Sequence, residues 1–220
     1  MSLAQPAPEP DPVRPGPDMR VLWALVGVIM AIELLAQAHG AGLPGLSRRW
    51  LLAHGGFWPV LLGGEGAIYP GQGAAMFLSY AFLHGGIGHA LLNCTILLAV
   101  GRLVLMLGGA GRMLALFALT AVAGAIGYAL LGGEAYVPMV GASGAGFGFI
   151  AAWKRWDYIA LKARGLDTRP VLQFGLALVA ASVAMHFLSA GTVAWEGHLF
   201  GALAGWFIAP SVLRGPRRRR

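Results

Sequence analysis

The sequence predicts an all-α polytopic membrane protein, a six-transmembrane-helix bundle with a large interfacial first loop, and three observations carry that prediction. Of its 220 residues 57% are apolar and only 11% charged, with a mean hydropathy of +0.68. A soluble domain carries about 25% charged residues, so much of this surface must face lipid. Apolar runs suited to a hydrocarbon core of about 30 Å recur along the chain. Finally, six spans with a cytoplasmic N-terminus put 14 of the 16 Lys and Arg in cytoplasmic segments, leaving Arg48 and Arg49 outside, as the positive-inside bias requires.

Residues 1–19 hold six prolines among acidic and small residues, which removes helix donors and leaves too little apolar surface to fold, so a disordered cytoplasmic tail is expected. The membrane domain is placed at 20–213. Its first span runs from Val21 to about Ala38. A secretory signal cleaved near Ala36-Gln37-Ala38 is the alternative reading of that stretch. Glu33 lies inside the span, where a carboxylate must face protein or water, and a structural hydrogen bond is the expected role. Residues 39–74 break the membrane pattern with glycines, Arg48, Arg49, Trp50, Trp58 and Pro59. Short apolar pieces such as Trp50-Leu51-Leu52 and 57–62 suit segments lying in the interface.

The second span is expected over Ile87 to Leu107 and the third over Met113 to Leu131. A loop from Gly132 to Ala142 leads into a short fourth span, Ser143 to Trp153. The fifth covers Val171 to Leu188, the sixth Gly197 to Leu213, and 214–220 form a basic cytoplasmic tail. The net charge of +7 sits at span ends and in that tail, which argues against nucleic acid as a partner and for the lipid bilayer. The single cysteine, Cys94, forbids an intrachain disulfide and is expected to pack as a small apolar residue.

Under this topology the second, fourth and sixth spans all begin at the non-cytoplasmic side, with His84 and His89, Ser143, and His198 near those beginnings. An eleven-residue fourth span is about 16 Å long, which would set Ser143 below the outer surface. The loop before it must then descend as irregular backbone lining a wet, protein-enclosed cavity. Gly144 and Gly148 share one face of the fourth span, while Gly197, Gly201 and Gly205 recur every four residues on the sixth, the spacing that lets helix backbones nearly touch. His198 adjoins that seam and is placed to act as general base toward the Ser143 hydroxyl. Close helix packing by Gly, Ala and Ser is the plainer reading of the stretch around Ser143. Glu196, two residues before His198, would point elsewhere on a helix, so a dyad is expected. His89 and Asn93 share a helical face, and with the Ser143 backbone N–H they are candidates for an oxyanion hole. His39, His54 and His186 have no matching partner and are assigned no role.

Three motifs, His84-x4-His89-x3-Asn93, Gly141-Ala142-Ser143-Gly144 and Gly197-His198-x2-Gly201-x3-Gly205, on a six-span chain resemble the rhomboid intramembrane serine proteases. The resemblance covers about residues 20–213. It implies hydrolysis of peptide bonds in or near transmembrane segments of single-span substrates, with Ser143 as nucleophile, His198 as base, and no metal or cofactor. It further implies that His89 and Asn93 hold the oxyanion and that His84, Gly141, Gly144, Phe147 and Gly201 support the site. The chain departs from the family pattern where Phe147 replaces a tyrosine and where a first-loop Trp-Arg pair falls on Ala75-Met76. Similarity to bacterial members implies the inner membrane, both termini cytoplasmic and a site opening to the other side. A catalytically silent relative that binds membrane proteins would lack the serine or the histidine, and both are present. A haem or proton-translocating protein would need paired histidines or an acidic relay within the spans, for which only Glu33 qualifies.

Overall fold

Eight α-helices and two short 3-10 turns account for most of the described residues, which are 18–64, 66–132 and 136–212 of a computed structural model. The expected disordered tail, apart from its last two residues, and the basic tail at 214–220 lie outside them. Helix α1 (Arg20–Gly40) buries Leu22, Leu25, Val26, Ile29, Glu33 and Ala36, a three-and-four spacing that forms one stripe. That stripe packs on α4 (Ile87–Gly108), where Gly101 leaves room for Leu22. The opposite face exposes Trp23, Val28, Leu34 and Leu35, as a lipid-facing surface would.

The first loop is more ordered than its composition suggests. Helix α2 (Arg48–Gly55) is capped by Ser47, whose hydroxyl accepts from the Trp50 N–H at 3.4 Å. A 3-10 turn follows at Pro59–Gly63, then α3 (Gln72–Ser79) and a second 3-10 turn at Tyr80–Phe82. The α3 helix overlaps a stretch assigned partly to loop. Fully buried Gln72 holds it in place, donating to Ala53 O at 2.6 Å and accepting from the Ile68 N–H at 2.7 Å.

Glu33 is tied to this loop. Arg48 grips it with both guanidinium nitrogens at 2.7 and 3.0 Å, Gln37 donates to it at 2.7 Å, and Arg48 also donates to the His84 carbonyl. A carboxylate 2% exposed needs such partners. Arg48→Ala strands the charge and is expected to cost about 3 kcal/mol, whereas replacing both residues by methionine recovers most of that loss. Thermal unfolding in detergent of the single and double variants measures it.

Helix α5 (Ala110–Leu131) and α6 (Ser143–Ala163) enclose the core with α8 (Trp195–Val212); α7 (Arg169–Leu188) lies outermost, burying only Val171 and Ser182. The fourth span was expected to end at Trp153, but α6 continues ten residues further to Ala163. The apolar run ends at Trp153, but the helix does not. The added turns contain good helix formers, and their charges are absorbed locally: Lys154 pairs with Asp157 at 2.9 Å, and Arg155 lies over Tyr158 and Trp206. Helix α6 is therefore about 30 Å long, and the short-helix argument for the depth of Ser143 no longer holds. By length and composition α1, α4, α5 and α7 are candidate membrane spans. Charges in the second half of α6, and Glu196, His198, Pro210 and glycines in α8, keep those two out of that set.

Candidate active site

Residues 136–142 run inward as non-helical backbone. Met139 forms an antiparallel bridge with Phe57, each N–H donating to the other's carbonyl at 3.0 Å, and the Gly141 N–H donates to Tyr80 O at 3.0 Å. Tyr80 is itself buried and donates to Ala121 O at 2.8 Å, and burial pushes its phenol well above its ordinary range. Gly141 has φ +122°, a conformation that glycine takes without steric cost. A Cβ built there would lie 2.9 Å from Nε2 of His89 and 3.7 Å from Ser143 Oγ. His89 and Ser143 therefore face one small volume that only glycine leaves open.

Ser143 opens α6, and its Oγ lies 2.7 Å from His198 Nε2 on the first turn of α8. Phe147, one turn after Ser143, stacks flat on the imidazole with ring centroids 4.1 Å apart and planes at 8°. The ring's other nitrogen, Nδ1, lies 2.6 Å from Ser182 Oγ on α7. Glu196 is buried against Gly132 and does not bond the imidazole.

His89 accepts the Gly85 N–H at Nδ1 over 3.4 Å, which leaves its proton on Nε2, the nitrogen facing Gly141. Asn93, one turn on, donates one amide N–H to His89 O at 2.9 Å and is 4% exposed. His84 accepts the Ala142 N–H at Nε2 over 3.3 Å and packs edge-on to His89 at 4.9 Å. Glu33, Arg48, the His84 carbonyl and the Ala142 N–H thus form a polar chain from the first helix to the residue before Ser143. Gly144 faces the Gly197 carbonyl, and a Cβ on Gly201 would collide with the Gly144 backbone. Ser143, His198, His89, Asn93 and Phe147 line a single cavity of about 980 Å³ that also takes in Val193, Glu196 and His186. His186, given no partner from sequence, donates from Nδ1 to Val193 O at 2.6 Å. His54 stacks on Trp50, and His39 is exposed in the last turn of α1.

Residues 72–215 match the model of the rhomboid domain. The chain belongs to the rhomboid family. That family comprises intramembrane serine proteases. No curated protein matches the chain. The matched span begins at α3, so α1 and α2, with the Glu33–Arg48 pair, lie before it. The two departures from the rhomboid pattern have visible substitutes. Phe147 stacks on His198 without a hydroxyl, and Arg48 supplies a first-loop anchor where Ala75 and Met76 carry none.

Burial, followed by the neighbouring His89, pushes His84 down to about 4. The unfolded chain binds a proton near 6.5 and the folded one only near 4, so stability falls as pH drops between those values. The loss reaches about 3 kcal/mol, and this group contributes no slope above pH 7. Unfolding temperatures from pH 7.5 to 4.5 should show that acid limb in the native protein, and a shallower one in His84→Asn. Equal slopes would mean that His84 is not the group responsible.

Proposed function

We propose that this rhomboid-family chain is an intramembrane serine endopeptidase that cuts single-span membrane proteins in or near their transmembrane segments. The observation that carries the reading is the 2.7 Å contact between Ser143 Oγ and His198 Nε2 on the wall of the cavity. His198 Nε2 takes the hydroxyl proton as Ser143 attacks the scissile carbonyl. The tetrahedral oxyanion settles toward the Ser143 backbone N–H, His89 Nε2 and the Asn93 amide, the donors this reading assigns to it. His198 then protonates the leaving amine. Water admitted by the cavity hydrolyses the acyl-enzyme in a second round, with His198 again as base. His84 holds the Ala142 peptide, Phe147 the plane of His198, and Gly141, Gly144 and Gly201 keep the approach open.

The substrate segment must expose a carbonyl that an intact helix hides, which favours segments with small or helix-breaking residues. In the same reading α1, α4, α5, α6, α7 and α8 all cross an inner membrane, with both termini cytoplasmic and the cavity on the opposite side. The Lys and Arg distribution supports that orientation. Purified protein in detergent should cleave a single-span reporter, and a fluorophosphonate should label Ser143. A protein that neither cleaves nor labels would favour a silent, substrate-binding relative.

A further inference from the structure

We infer that Ser182 on α7 is a positioning residue that fixes the catalytic tautomer of His198, an inference that rests on the protease reading above. His198 can accept the Ser143 proton at Nε2 only if the neutral ring carries its own proton at Nδ1. The group facing Nδ1 at 2.6 Å is the Ser182 hydroxyl, and no acidic residue hydrogen-bonds this ring among the described residues. Ser182 is 6% exposed and is the only polar residue that α7 buries. A hydroxyl in an otherwise lipid-facing helix usually bonds back to its own backbone four residues earlier. Here its hydrogen-bond partner is the imidazole.

With Nδ1–H donating to Ser182 Oγ, the ring is held at both nitrogens and from its face: Ser182 from α7, Ser143 from α6, and Phe147 across the plane. As Nε2 takes the Ser143 proton, Nδ1–H keeps its acceptor, and the imidazolium is stabilised by a neutral dipole rather than by a carboxylate. A serine hydroxyl can also donate to Nδ1, which puts the ring proton on Nε2 and leaves no base. In the arrangement inferred Ser182 Oγ accepts, and without it Nδ1–H loses its acceptor and the base-competent tautomer its support. Helix α7 is also the least buried of the candidate spans, with only Val171 and Ser182 inside the protein. A helix so lightly packed supplies this contact only while it is seated, which makes the chemistry depend on the seating of α7.

The test compares Ser182→Ala with Ser182→Thr, which retains the hydroxyl. Ser182→Ala should lower the rate of fluorophosphonate labelling at Ser143, and kcat for the reporter, about tenfold, with KM little changed. Ser182→Thr should restore most of both. Histidine 15N resonances of Ser143→Ala protein report the tautomer without any catalysis, the His198 signal being identified by its loss in His198→Ala. They should show an Nδ1-protonated ring that shifts toward the other tautomer when Ser182→Ala is added. Labelling of Ser182→Ala at the native rate, or an unchanged tautomer, overturns the inference and leaves the protease reading standing. A native protein that neither labels nor cleaves, yet shows the Ser182-dependent tautomer, overturns the protease reading alone.

Discussion

Ser143→Ala and His198→Ala should each lower reporter cleavage at least about a thousandfold, because a nucleophile and its base act as one unit and neither works without the other. The two variants together should cost no more than either alone. His89→Ala and Asn93→Ala should be milder, on the order of a hundredfold each, since the Ser143 backbone N–H remains to hold the oxyanion. Fluorophosphonate labelling separates the groups further. It should vanish in Ser143→Ala, fall steeply in His198→Ala, and persist in Asn93→Ala at a reduced rate. Initial rates on one reporter, with folding checked by thermal unfolding, are sufficient. Additive losses from Ser143→Ala and His198→Ala would show that the 2.7 Å contact between them is not a working dyad.

The parts of the site that could be read in the sequence are those written in local spacing. His89 and Asn93 stand one helical turn apart, and Gly197, Gly201 and Gly205 repeat every fourth residue, so each set shares a face before any tertiary structure is known. The meeting of Ser143 with His198 followed from combining those faces with the distribution of Lys and Arg. What escaped depends on contacts between distant segments. Ser182 is one small polar residue in an apolar run, and its partner is set by how α7 is rotated against α8. Glu33 was recognisable as needing a partner, but Arg48 reaches it only because the first loop folds into α2. The end of α6 was misplaced because hydropathy reports what faces lipid, whereas helix continuation depends on propensity and local charge pairing, both of which favour 154–163. Helix α3 was overlooked for a similar reason: it is held by the buried side chain of Gln72, not by an apolar period.

Gly201→Ala should be the most damaging substitution outside the reacting groups. A Cβ at Gly201 would overlap the Gly144 carbonyl, and one at Gly205 would overlap that of Gly148. In each case the obstacle is helix backbone, which cannot rotate aside as a side chain can, so α6 and α8 must separate. Overpacking of this kind costs about 3 kcal/mol, and both alanine variants should unfold at clearly lower temperature. Their effects on activity should differ. Gly201 lies one turn after His198 and opposite the residue that follows Ser143, so separating the helices there lengthens the Ser143–His198 contact itself. A displacement of about 1 Å is enough to cost a hundredfold in rate. Gly205 lies a turn deeper, and prying the helices apart at Gly148 acts on the dyad only through the tilt of α8. Folded Gly205→Ala protein should therefore retain more of its kcat than folded Gly201→Ala at similar loss of stability. If Gly201→Ala melts and cleaves like the native protein, the two helices have slack at this point, and the geometry of the dyad does not depend on the glycine seam.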